Sequence, residues 1–192
     1  ELLPLQSTGN LSDYPQAYRE FAWHTIEQEF DWYHGGPYNV AAEAVDRHAR
    51  QRPDKVAIHS VRANGEVQSL TFGDIAALSS KFADGLRLLG IGRGDRVFVY
   101  LDRRSELFIS IIGIAKMGGI ACPLFSALGP EAVKDRLMDG TPAAIVTSSY
   151  LYERIAGVLK SASPAPKVIC VGEGSPTNAV PYSQVLASGS SD

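Results

Sequence analysis

The side chains best suited to chemistry in this 192-residue chain are four histidines, two cysteines and a few charged clusters. Their spacing argues against most catalytic schemes. His24, His34, His48 and His59 do not follow the spacing of metal ligands. Asp46-Arg47-His48 pairs an acid with a base, but adjacent residues of a helix point in different directions and cannot converge on one substrate. A structural role, capping or bridging the helix, is expected there. Asp102-Arg103-Arg104 follows an apolar strand, at the end where ligands gather in parallel sheets. A charged loop is the preferred reading. Arg93-Gly94-Asp95 is better explained as a turn before a buried strand than as a cell-adhesion tripeptide. Gly90, Gly92 and Gly94 precede a strand instead of joining strand to helix, so they are no dinucleotide fingerprint. No Ser/His/Asp or Cys/His arrangement emerges.

Composition narrows the class. The net charge is −3, which argues against a nucleic-acid partner, since such a protein needs a basic stripe. Cys122 and Cys170 are too few for a disulfide framework, and both sit in apolar runs, as buried thiols of a reducing, cytoplasmic setting would. No apolar run approaches the ~18 residues that span a membrane, and no signal peptide is visible. A chain of this length hides roughly 70% of its extended surface, enough for a real core.

The elements that must position any site follow from periodicity. Residues 1–12 form a loose lead-in. From Asp13 a helix is expected, with Tyr14, Tyr18, Phe21, Ile26 and Phe30 at 3–4 residue intervals, until Gly35-Gly36-Pro37 breaks it. Asn39 is an N-cap for a second helix that must stop before Pro53. Lys55–Val61 and Val67–Phe72 form a hairpin around Asn64-Gly65. Thr71 caps a long helix through Leu89, closed by Gly90. Apolar strands at 96–101, 120–125, 143–148 and 167–172 then alternate with helices. Ser105 caps the first of these, Pro130 opens the next and Gly140 closes it. The expected fold is α/β: a mostly parallel sheet flanked by helices in α-β-α layers, with a β-hairpin and an N-terminal helical extension. The expected divisions are 1–36 (helical extension), 37–172 (α/β body) and 173–192, a Gly/Ser/Pro-rich linker.

The ordered series YNVAAEAVDRHARQRPDKVAIHS, LTFGDIAALSSKFADGLRLLGIGRGDRVFVYL, ELFISIIGIAKMGGIACPLFSALGPEAVKDRLMDGTPAAIVTS and KVICVG resembles the N-terminal part of AMP-forming acyl-CoA synthetases. These belong to the adenylate-forming superfamily. The aromatic lead-in, GGPYNVAAEAVDRH and PLFSALGPEAVKDRL resemble the acetyl-CoA, or short-chain acyl-CoA, synthetase branch. The resemblance implies a two-step reaction. A carboxylate attacks the α-phosphate of ATP to give an acyl-adenylate, and the thiol of coenzyme A then displaces AMP. It implies ATP, Mg²⁺ and CoA as cofactors of the intact enzyme, a small carboxylate substrate, and the remaining C-terminal part of the same synthetase as partner. A homo-oligomer is left open. The family's phosphate loop with its Lys, its ribose-binding acid and the Lys of its C-terminal domain have no counterpart in this sequence. The tail Ser188–Asp192 has the loop's residue types without its second Gly, Pro and Lys. An N-terminal fragment without catalytic residues of its own is therefore expected, and the opening on Glu1 suggests a piece missing there as well.

The resemblance further implies that Phe125, Ser126, Ala127 and Arg154 meet the CoA nucleotide. The first three form the turn after a strand, where that branch often carries Phe-Gly-Gly. Phe125 is placed to stack on adenine. Arg154 lies where the branch carries an arginine near the CoA 3′-phosphate, and guanidinium suits bidentate phosphate recognition. Core packing for Phe125 and a solvated helix face for Arg154 are the plainer readings. Two other functions compete: a non-catalytic docking domain clasping a partner through Tyr14, Tyr18, Phe21 and Trp23, and a free-standing nucleotide-binding domain. The missing phosphate loop counts against the latter.

Overall fold

The computed structural model describes residues 13–36, 38–61 and 64–190, so the expectation for 1–12 lies outside the described residues. The chain divides into two units, 1–38 and 39–192.

The first unit differs from the single helix expected. Asp13 caps α1 (Tyr14–Glu20) by accepting from the Gln16 amide at 2.9 Å. The backbone then turns extended at Phe21 and Ala22 before the short α2 (Trp23–Glu27) and a 3₁₀ turn over Asp31–His34. None of these elements holds a buried residue. Aromatic side chains lose rotamer freedom in a helix, and here no core returns that loss, so periodicity alone does not hold one long helix together. The rings instead pair locally, Phe21 edge-on to Trp23 at 5.1 Å.

In the second unit, the Asn39 side chain accepts from the Ala41 amide and donates to the Ala115 carbonyl, each at 2.9 Å. The helix it caps includes a π-helical stretch (Ala42–Asp46) and continues as α3 (Arg47–Gln51). The antiparallel pair β1 (Val56–Val61) and β2 (Val67–Thr71) leads into α4 (Phe72–Leu88). Thr71 and Asp74 form a reciprocal capping box there.

The main sheet has five parallel strands in the order β4-β3-β5-β6-β7. They are β3 (Arg96–Tyr100), β4 (Ile120–Leu124), β5 (Ala144–Ser148), β6 (Lys167–Val171) and β7 (Val180–Pro181). The period of two along each strand sorts side chains between two cores. Val97, Val99, Ala144 and Val146 join Phe82, Leu86 and Ile114 on the face of α4, α5 (Ser105–Lys116) and α8 (Tyr182–Ser188). Phe98, Tyr100 and Ile145 join Val133, Leu137, Ile155 and Leu159 on the face of α6 (Pro130–Gly140) and α7 (Ser149–Ser161).

Three local expectations are corrected. Ser105 is the first residue of α5 and not its cap: Arg104 takes the extended cap position, and the Ser105 hydroxyl turns to the Glu106 carboxylate at 3.2 Å. Gly140 is the last helical residue, and the left-handed position falls to Thr141 (φ 37°). Gly140 is small for another reason: a Cβ there would lie 2.7 Å from the Phe98 ring. The stretch 173–192 is no bare linker, because β7 extends the sheet and α8 packs on α4. Tyr182 stacks on Phe82 at 5.0 Å, and Val185 sits where a side chain on Gly85 would stand.

Asp46-Arg47-His48 has the structural role expected, each side chain finding a different partner. Asp46 meets Lys116 at 2.6 Å, Arg47 meets Glu43 at 3.4 Å, and the His48 Nδ1 meets the Arg52 guanidinium at 3.1 Å. Burial and the cations of Arg47, Arg52 and Lys55 hold the His48 pKa below its ordinary value.

Candidate functional site at the carboxyl edge of the sheet

The chain leaves β3 toward β4 over one face and leaves β5 toward β6 over the other. Such a switch in direction opens a crevice at the carboxyl ends of the two strands. Tyr100 ends β3, Ser148 ends β5, and the turn from β4 to α6 closes over them.

That turn is Phe125-Ser126-Ala127-Leu128, closed by a bond from the Leu128 amide to the Phe125 carbonyl at 2.9 Å. Neither Ser126 nor Ala127 takes a positive φ, so this backbone does not require the glycines often found there. Two further carbonyls of the turn are held by side chains. Tyr100 Oη donates to Leu128 O at 2.7 Å and lies 3.2 Å from Ser126 O. Arg154, on α7, donates from Nη1 to Ser126 O at 3.0 Å and from Nη2 to Leu128 O at 3.3 Å. The four residues expected to act together are therefore brought together. Arg154 is not on a fully solvated helix face, as the plain reading would have it, but half-buried beneath the turn. A guanidinium carries five N–H donors, so three remain after these two bonds.

Phe125 is not core either: its side chain stands 70% exposed above the turn. Tyr150, 67% exposed, lies one helical turn before Arg154 on the same face of α7. Leu151 and Tyr152, pointing the other way, are buried. Burial pushes the Tyr100 phenol above its ordinary pKa, Arg154 pulls it back, and Asp102 and Tyr150 add to the rise. The phenol is thus protonated at neutral pH and donates. Two exposed rings, one half-buried cation and a braced turn make a surface suited to a flat heterocycle bearing an anionic group.

Tyr100 and Tyr150 were missed by sequence reasoning. Tyr100 merely looks like the last apolar residue of a strand. The signal available was its position, since alternation from Val97 and Val99 sends it to the α6/α7 face at the ligand end of the sheet. Asp102 and Arg103 are exposed on the next loop, and Arg104 forms a two-pronged pair with Glu106 at 2.9 and 3.0 Å. This matches the charged-loop reading of that cluster.

On the α5/α8 side of the same edge lies a cavity of about 490 Å³ lined by Glu106, Gly172, Glu173, Tyr182 and Ser183 among others. Its Tyr182 phenol is strongly held in the neutral form by burial and meets Ser110 at 3.3 Å. Its acidic lining is unsuited to phosphate. Among the described residues no three His, Cys, Asp or Glu side chains gather as metal ligands. No helix among them is long and apolar enough to cross a membrane.

Residues 45–188 match the family described as AMP-binding enzyme. The acetyl-coenzyme A synthetase of Bacillus subtilis is 39% identical over 153 residues, covering 79% of this chain and 27% of that protein. The 3-hydroxypropionyl-coenzyme A synthetase of Sulfurisphaera tokodaii is 34% identical over 124 residues, covering 64% and 19%. The chain thus spans about a quarter or less of the length of these curated relatives. A crystal structure of a Brucella canis acyl-CoA synthetase superimposes with a TM-score of 0.77 at 25% identity, over 93% of this chain and 32% of that one. An anthranilate CoA ligase shares the fold, with a TM-score of 0.69 at 19% identity over 81% of this chain and 29% of its own.

Proposed function

The chain belongs to the AMP-binding enzyme family, and from that membership we propose that it is the N-terminal part of an AMP-forming acyl-CoA synthetase acting on a short-chain carboxylate. In the whole protein, a carboxylate oxygen attacks the α-phosphate of ATP. The bond to pyrophosphate breaks and an acyl-adenylate forms. The CoA sulfur then attacks the acyl carbon and AMP leaves. Mg²⁺ accompanies ATP in this reading. The relatives that are acetyl- and 3-hydroxypropionyl-CoA synthetases support a short acid. The remainder of the synthetase is the partner in this reading, and the cytoplasm its setting.

The role of this segment is to supply the α/β scaffold and part of the CoA surface. Phe125 offers a stacking face, the Ser126-Ala127 turn lets the nucleotide approach, and the free N–H groups of Arg154 receive a phosphate. The observation that carries this role is the convergence of Arg154 on the Phe125–Leu128 turn. Titration of the 192-residue chain with CoA by calorimetry is the test, with saturable binding expected. Heat indistinguishable from dilution would remove the CoA role. The chain alone is expected to release no pyrophosphate from ATP and acetate, and release would refute its catalytic incompleteness.

A second reading is favoured by one observation: α1 and α2 bury nothing, while Tyr14, Tyr18, Phe21 and Trp23 are all exposed. In it, residues 1–36 dock onto another subunit or domain. Sedimentation of the chain with and without 1–36 tests this, since loss of self-association on truncation is its expected mark.

A further inference from the structure

We propose that Tyr100 is a positioning residue: its hydroxyl braces the Phe125–Leu128 turn, so that Arg154 can turn its donors toward an anion without the turn collapsing. The anion side of this inference rests on the CoA reading above; the brace itself does not.

The argument begins with the acceptors. The Ser126 and Leu128 carbonyls each face two donors, one from Tyr100 and one from Arg154. The division is complementary. Tyr100 has one proton and its shorter distance is to Leu128 O, at 2.7 Å, whereas the shorter bond of Arg154 is to Ser126 O, at 3.0 Å. A buried carbonyl left without a donor costs about 1–3 kcal/mol, so a turn held by Arg154 alone would resist surrender of that arginine to a ligand. With Tyr100 in place, the Leu128 carbonyl keeps its donor while the guanidinium shifts.

The two donors also differ in mobility. Tyr100 is fully buried in β3, between β4 and β5, with its ring packed among Val133, Ile145, Leu151 and Ile155. Arg154 is half-buried on the surface of α7, at the end of a flexible stem. The rigid neutral donor therefore fixes the turn, and the mobile cation is the one available to a phosphate. Because burial keeps the Tyr100 phenol protonated, the brace persists through the neutral range.

The test uses the full 192-residue chain and its Tyr100→Phe variant, which keeps the ring and loses only the hydroxyl. Two readouts are taken, hydrogen exchange at the Leu128 amide and calorimetric affinity for adenosine 3′,5′-bisphosphate at several salt concentrations. We expect Leu128 exchange to accelerate about tenfold while the Val146 amide in β5 is unchanged. Affinity falls about 5- to 30-fold, and the slope of affinity against salt stays the same because the cation is still present. Arg154→Met should instead flatten that salt slope. A simple loss of stability would speed exchange at Leu128 and Val146 alike and leave affinity unmoved well below the melting temperature. Leu128 exchange within twofold of wild type in Tyr100→Phe would overturn the brace. Should wild type not bind the bisphosphate, the CoA reading fails while the exchange comparison still decides for or against the brace. If Tyr100→Phe does not fold, 3-fluorotyrosine at position 100 replaces it. Its ¹⁹F resonance should then shift with Arg154→Met, and an unmoved resonance counts against the shared acceptors.

Discussion

The carboxyl edge of the sheet is finished differently on its two sides. Toward α6 and α7 it carries a braced turn, exposed rings and a cation with donors to spare. Toward α5 and α8 it carries a cavity of about 490 Å³ whose lining includes two carboxylates, with the neighbouring Arg104 already committed to Glu106. The same backbone architecture thus carries a guanidinium with spare donors on one side and carboxylates on the other. The presence of a hollow alone would have chosen the α5/α8 side, whose lining has the wrong charge for a phosphate-bearing ligand.

The largest effect expected separates the two sides by stability. Phe82 is fully buried beneath Tyr182 on the α8 side, and Phe82→Ala should cost about 3–5 kcal/mol in chemical denaturation. At low denaturant, exchange at the Leu128 amide should be affected less than exchange in α8. Equal acceleration in both places would mean that the sides are not separable. Next is Arg154→Ala, which removes a charge-assisted contact of about 1.5–3 kcal/mol. It should weaken CoA binding roughly 10- to 100-fold by calorimetry, whereas Glu173→Gln across the edge should leave it within twofold.

Alkaline pH offers a third contrast. Both Tyr100 and Tyr182 have phenols raised above their ordinary value by burial. A raised folded pKa means stability that is fully present below the unfolded value, about 10, and lost as pH rises through the folded one. Melting temperature should be level up to about pH 9 and fall above 10, with Tyr182→Phe blunting the fall more than Tyr100→Phe. The smallest effect belongs to Glu106. Burial, the largest single influence, raises its pKa, but the hydrogen bonds from Arg104, its own backbone amide and Ser105, together with the Arg104 charge, leave it lowered. Its contribution is therefore present above the unfolded value and lost as pH falls through the lowered folded one. Glu106→Gln should cost under about 1 kcal/mol near neutrality, since the pair is partly solvated, and should remove part of the acid sensitivity in a thermal scan.

What the sequence made legible follows from how strongly each feature is written locally. Val97–Leu101 and Ala143–Val146 are unbroken apolar runs, and the parallel sheet they enter was plain from them. Thr71 just before an apolar helical period gave the cap of α4, while its reciprocal partner Asp74 came only from the structure. The α8 helix was hidden because Tyr182, Val185 and Leu186 sit inside a stretch dominated by Gly, Ser and Pro. Only the tertiary match of Val185 to Gly85 reveals their purpose. The first-unit aromatics had the opposite fault, a helical period with no core to receive it. The candidate site was half-readable. The turn and Arg154 were found by resemblance, but hydrogen bonds from Tyr100 and Arg154 to shared backbone carbonyls leave no mark in residue type or spacing.

The Lys116 ammonium is held by the Asp46 carboxylate at 2.6 Å, the Ala76 carbonyl at 3.0 Å and the Ser80 hydroxyl at 3.0 Å. With each N–H engaged and the side chain only 11% exposed, this amine offers almost nothing to an electrophile while the π-helical stretch, α4 and α5 stay together. It therefore acts as a clock for that junction. An acylating reagent should mark Lys134, about half exposed, within its ordinary reaction time, and should reach Lys116 only as often as the three helices part.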